Sequence, residues 1–277
     1  MTLQRAPRRA STRTAPPYAP WGWAWLGAGI GLALILALAA PARWLAAGLA
    51  QATQGAVVLA EPQGNIWSGT ARLVLTGGAG SRDSTALPGR VQWQLRPQLT
   101  GLMARLSADC CTPQTPIHIQ ISPRWNGAQV QVGDGQSFWP ALLLTGLGTP
   151  WNTVRPQGEL ALLTRSLAVH WHAGRMDVTG QAEITARQMS SRLSTLEPLG
   201  SYRVVLNGGG TNSGQALSLK LTTLEGHLQL SADGQWIGTR LRLRGQAQAA
   251  PGMEAPLANL LNVLGRRQGE RAIISLG

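Results

Sequence analysis

Lysine is almost missing from this 277-residue chain: all 24 basic residues but Lys220 are arginine. Phenylalanine occurs once and tyrosine twice, against 11 tryptophans. Charged residues make up 13% of the chain, about half the share of an ordinary soluble domain. The scarcity of Glu and Lys, beside 34 glycines and 17 prolines, argues against a helical bundle or coiled coil. A hydrophobic content of 44% argues against intrinsic disorder. Length allows one large or two small domains. Only 12 acidic residues offset the arginines, leaving a formal net charge of +12, which taken alone suggests nucleic acid.

Motifs that carry chemistry are missing too. There is no G-x-S-x-G elbow, and no Walker A, because Lys220 follows a leucine. Gly208-Gly-Gly-Thr-Asn-Ser213 lacks the third glycine of the dinucleotide fingerprint and follows an alternating strand, so it reads as a hairpin loop. His170 and His172 share one strand face, but no third ligand is near them in sequence and the face is polar, so they read as solvated. The carboxylates are scattered singly, without the spacing of a paired acid and base, which leaves hydrolysis of envelope polymers the weakest reading. Cys110 and Cys111 are adjacent: they close a strained ring, bridge to another chain, or sit as a loop pair without a role. The sequence therefore predicts no enzyme: no catalytic residues, no cofactor or cofactor-binding residues, and no metal ligands.

The charge is unevenly placed. Arg5, Arg8, Arg9 and Arg13 precede a stretch from Thr14 to Ala42 with no charged residue. Residues 21–40 read WGWAWLGAGIGLALILALAA. Twenty such residues span about 30 Å as a helix, the thickness of a hydrocarbon core. Trp21, Trp23 and Trp25 suit one interface, and Arg43 with Trp44 marks the other. The arginines ahead of the span predict a cytoplasmic amino terminus. A cleaved signal peptide ending in Ala-Leu-Ala-Ala-Pro-Ala at 37–42 competes, but the run exceeds a usual h-region and Pro41 obstructs cleavage. Both readings export the rest. The expected layout is a basic cytoplasmic tail over 1–20, a transmembrane helix over 21–40 and a periplasmic β-rich domain over 41–277. An exported domain whose arginines do not interleave with aromatics is not a nucleic-acid binder; anionic lipid headgroups suit its basic faces better.

After residue 50 the pattern has period two. Val91, Trp93 and Leu95 alternate with polar residues, as do Ile117, Ile119 and Ile121; Leu167, Val169 and Trp171; Leu217, Leu219 and Leu221; and Leu241 and Leu243. Such half-buried strands predict antiparallel sheet. Turns are expected at Gly77-Gly78, Pro88-Gly89, Asn126-Gly127, Gly133–Gly135, Asn207-Gly208 and Asp233-Gly234. Helices are expected at Phe138–Gly146, Met189–Leu199 and Pro256–Leu264, and a last strand at Ala272–Leu276. Segments 64–73, 174–184 and 238–247 share a glycine–strand–glycine–strand rhythm, read either as a repeat or as hairpins that need glycine. The fold class is mainly β: a single N-terminal transmembrane helix, then an elongated, curved antiparallel sheet with a few short helices.

Ala60–Leu75 (AEPQGNIWSGTARLVL) resembles the G-x-[LIV]-W-x-G-x-A motif of the type II secretion system protein N family, also called general secretion pathway protein N. Val91–Pro97, Leu99–Leu106, Leu199–Val204, Leu224–Leu230 and Leu257–Leu264 with Gly265 follow in that family's order, so the resemblance covers residues 20–277. It implies a non-catalytic inner-membrane component of the machinery that moves folded periplasmic proteins across the outer membrane of Gram-negative bacteria. The implied partners are other secretion components and membrane lipid. The family is also similar to AsmA-like proteins, which implies the alternative: a β-groove that binds or transfers lipid in the envelope. In the motif, Gly64 and Gly69 would permit tight turns or bulges flanking Trp67.

Overall fold

The computed structural model describes residues 21–112, 115–172, 175–209, 216–238 and 240–277. The basic tail, Gly174 and residues 210–213 of the glycine-rich loop lie outside them. The chain divides into two compact units, one ending at Ala40 and the other Pro41–Gly277.

The first unit holds α1, Trp21–Ala39, 19 residues without a charge. At 1.5 Å per residue it is about 28 Å long, and tryptophan and glycine fill much of its first half. Among the described residues no helix is long and apolar enough to cross a membrane. The span expected over 21–40 thus remains a reading of the sequence pattern.

The second unit opens with α2 (Ala42–Ala52) and continues as one antiparallel sheet of 16 strands. The first eight are β1 (Val57–Gly64), β2 (Ser68–Thr76), β3 (Ser84–Ala86), β4 (Val91–Gln98), β5 (Gly101–Ala108), β6 (Ile117–Arg124), β7 (Gly127–Val132) and β8 (Gly135–Pro140). A 3-10 helix over Ala141–Leu147 and the short α3 (Trp151–Val154) separate them from the rest. There follow β9 (Pro156–His172), β10 (Arg175–Ser191), β11 (Gly200–Asn207), β12 (Ser218–Gly226), β13 (Leu228–Ile237) and β14 (Arg240–Ala249). Then come α4 (Glu254–Leu264), β15 (Arg266–Gln268) and β16 (Arg271–Leu276). Neighbours in sequence are neighbours in the sheet nearly throughout; β3 pairs β2 beside β4, and β8 pairs β9 beside β7.

Three clusters bury the sheet's apolar side chains. Under α2, Ala42 packs with Leu59, Ala71 and Trp93. Under the 3-10 helix, Leu143 packs with Leu87, Ala108 and Cys111. Under α4, Leu257, Leu260 and Leu261 pack with Leu199, Tyr202 and Leu228. The leucine spacing expected over 256–264 is thus a helix stripe on the sheet. Within this core the Tyr202 hydroxyl donates to the Leu228 carbonyl at 3.0 Å, and burial pushes its phenol well above the usual tyrosine range.

Several local expectations are corrected. Phe138–Gly146 is the end of β8 followed by a 3-10 turn, because Phe138–Pro140 pair with β9. Met189–Leu199 is not a helix: β10 runs to Ser191, with a bulge that sets Met189 opposite Gly200. Its helical spacing arises because Met189, Leu193 and Leu196 all reach the α4 core. Asp233-Gly234 is no turn but the middle of β13, facing Lys220 and Leu219. A β-carbon on Gly234 would press on the tips of the Leu243 and Leu241 side chains, so glycine here eases strand packing rather than making a turn. The rhythmic segments follow the hairpin reading where they are described: Gly64 turns β1–β2 and Gly238 turns β13–β14, while Gly69, Gly180 and Gly245 sit inside the strands β2, β10 and β14.

Candidate functional site

The secretion-type motif builds one wall of a groove. Gly64 adopts φ +91°, closing the β1–β2 hairpin against Ser68. The Asn65 side chain accepts the Ser68 N–H at 2.7 Å, and Trp67 offers its carbonyl to the Leu95 N–H at 2.6 Å. Gly69 faces Trp93 across the β2–β4 ladder, and a β-carbon on Gly69 would collide with the Trp93 ring. The Trp93 indole N–H donates to the Ile66 carbonyl at 2.9 Å. The motif therefore seats Trp93, a residue outside it, rather than serving Trp67 alone. Arg90, which no motif flags, pins the same hairpin: it donates to the Glu61 carbonyl at 2.7 Å and to the Thr70 hydroxyl at 3.2 Å.

Beside Trp93 runs a groove of about 380 Å³ with no exposed polar lining. Leu45 and Leu49 of α2 border one side, and Trp139 of β8 the other. Its floor is made by Leu59, Leu73, Leu95, Leu106 and Ile121 from successive strands. Thr112, at its rim, accepts the Ala108 N–H at 2.8 Å, so its hydroxyl is occupied by backbone. The volume falls within the ~300–1,000 Å³ of small-molecule sites, and the lining accepts only apolar groups.

A larger cleft of about 890 Å³ is polar, and two of its three carboxylates are paired with arginines. Arg203 meets Glu183 at 2.8 Å, Arg187 meets Glu159 at 3.5 Å, and the Ser201 hydroxyl donates to Glu225 at 3.1 Å.

His170 and His172 lie near the end of β9, opposite Asp177 and Arg175 of β10. Among the described residues no three His, Cys, Asp or Glu side chains gather as a metal site would need. Of the open readings of the cysteines, the structure shows the intramolecular one: Cys110 and Cys111 are disulfide-bonded to each other. Cys111 is fully buried in the core beneath the 3-10 helix, and its carbonyl accepts the Phe138 N–H at 2.8 Å. The pair thereby ties the β5–β6 connection to β8, which carries the groove wall Trp139.

The sequence profile of a family described as type II secretion system (T2SS), protein N matches residues 55–274. The chain belongs to this family. Comparison with curated proteins and with solved structures finds no match in either. The match begins just before β1 and ends within β16, so it takes in the sheet, the glycine–tryptophan hairpin and α4. The protein is thus a component of the type II secretion machinery, and its sheet is the part that the family shares.

Proposed function

We propose that the protein is a non-catalytic inner-membrane component of the type II secretion system. Its tail lies in the cytoplasm, residues 21–40 hold it in the membrane, and the sheet works in the periplasm beside other secretion components. The family match over nearly the whole sheet carries this reading. The uncharged α1, its leading tryptophans and the arginines before it support the topology. The strands that end the sheet, β1 and β15, suit strand addition by a partner. The test is crosslinking in intact cells, followed by identification of the bound proteins. Other inner-membrane secretion proteins are expected among the adducts; adducts confined to unrelated envelope proteins would refute the proposal.

One observation favours a second reading, a lipid-binding groove of the AsmA-like kind: the cleft between α2 and Trp139, whose exposed lining is apolar. Its natural occupant is a single acyl chain with the headgroup outside, because nothing in the lining pairs with a polar group. Native mass spectrometry of the purified full chain, after detergent exchange, would show a bound lipid mass; its consistent absence counts against this reading.

A further inference from the structure

Four of the sheet's hairpins turn at the same end. Antiparallel pairing places the β1–β2, β4–β5, β6–β7 and β9–β10 connections there together. The last three reach furthest, since Gln98 lies four positions beyond the Ser68–Gln94 pair and Arg124 lies three beyond the Leu102–Ile121 pair. Among polar neighbours, the first two of these tips each carry one large apolar side chain that nothing covers. Leu99 and Trp125 are fully exposed. Trp171 and Met176, facing each other across β9 and β10, are 43% and 53% exposed. Arg96 and Arg124 flank them, both exposed, and the one acid close by is Asp177.

The chain also enters the sheet unit at this end. Pro41 bridges to Asn65 at the tip of the β1–β2 hairpin, and the exposed Arg43 and Trp44 follow at once. Only Ala40 separates Pro41 from the last residue of α1. Tryptophan with arginine on a protruding rim is the composition of a membrane interface, where indoles sit at headgroup level and guanidinium groups meet anionic lipid.

We propose that this hairpin rim, with Leu99, Trp125, Trp171 and Met176 as wedges and Arg96 and Arg124 as charge contacts, docks on the anionic surface of the bilayer. This rests on the reading of residues 21–40 as the membrane anchor. The rim gives the sheet unit a membrane contact of its own. Leu95 and Ile121, of the residues that line the apolar groove, lie nearest this rim.

The test uses the full chain in nanodiscs of phosphatidylethanolamine and phosphatidylglycerol, with nitroxide labels on single introduced cysteines. The substitutions are Leu99→Cys and Trp125→Cys on the rim, Thr195→Cys at the opposite end of the sheet and Leu34→Cys in α1. The rim labels should collide with oxygen and be shielded from a water-soluble nickel chelate, while the label at 195 shows the reverse. Replacing Arg96 and Arg124 by Gln should lower the ratio of docked to undocked protein about fivefold per arginine, and phosphatidylcholine discs should weaken docking likewise. Rim labels as open to nickel as the label at 195 overturn the proposal, whatever the label at 34 reads. That fourth label reports separately on the anchor: a watery position there refutes the anchor and leaves the rim result to stand or fall by itself.

Discussion

The Trp93 ring lies where a β-carbon on Gly69 would have to be. The glycine of one strand and the tryptophan of the next are thus a single packing unit, closed by the indole bond to Ile66. Gly69→Val should force the ring out and cost about 1–3 kcal/mol, as overpacking of a tight core does. The check is chemical denaturation of the purified protein. A Gly69→Val variant as stable as the parent would show that Trp93 has slack.

Trp93 should tolerate substitution according to what is kept. Trp93→Ala removes a nearly fully buried ring and should cost about 3–5 kcal/mol. Trp93→Phe keeps most of the apolar contact but strands the Ile66 carbonyl, at about 1–3 kcal/mol. Denaturation midpoints of the two variants should rank in that order below the parent.

Much of this arrangement was legible in the sequence, and the reasons differ by element. The alternation at 91–96 and 240–244 predicted strands correctly because one face is covered and the other wet. The leucine stripe at 257–264 predicted α4 because a helix on a sheet buries one stripe. Met189, Leu193 and Leu196 misled because three residues of an irregular segment drawn to one core mimic helical spacing. Gly234 misled because glycine marks close packing as well as turns. The cleft could not be placed from the sequence: its walls come from α2, the strand faces and Trp139, which tertiary contact alone brings together.

Tyr202 sets a pH limit. Its folded-state phenol titrates well above the ordinary value near 10 because burial disfavours the phenolate. Between those two values the unfolded chain has lost the proton and the folded one keeps it, so stability is intact below pH ~10 and falls as pH rises beyond it. Tyr202→Phe should flatten that part of the alkaline decline while lowering stability at neutral pH by about 0.5–1.5 kcal/mol, through the lost bond to Leu228. Melting curves from neutral to alkaline pH would show both effects or neither.

The groove makes its own prediction. A brominated sixteen-carbon fatty acid added to the purified protein should quench tryptophan fluorescence, because Trp93 and Trp139 line the cleft. Ile121→Gln places a polar group in an apolar lining and should weaken the quenching roughly 10-fold or more. Equal quenching in both proteins would mean that the fatty acid binds elsewhere.

Retention of the amino-terminal segment is open to a direct check. An uncleaved anchor predicts an intact mass near 29.3 kDa for the membrane-extracted protein. A product lacking the first 40 or so residues would identify a signal peptide instead, consistent with the small residues at 37–42.

The central claim, a role in type II secretion, is tested most directly by deleting the gene and following a secreted substrate of that pathway. The account predicts that the folded substrate accumulates in the periplasm and disappears from the medium. The intact gene should restore export, and the Gly69→Val form should restore less. Undiminished secretion in the deletion strain, with the other secretion components at normal levels, would contradict it.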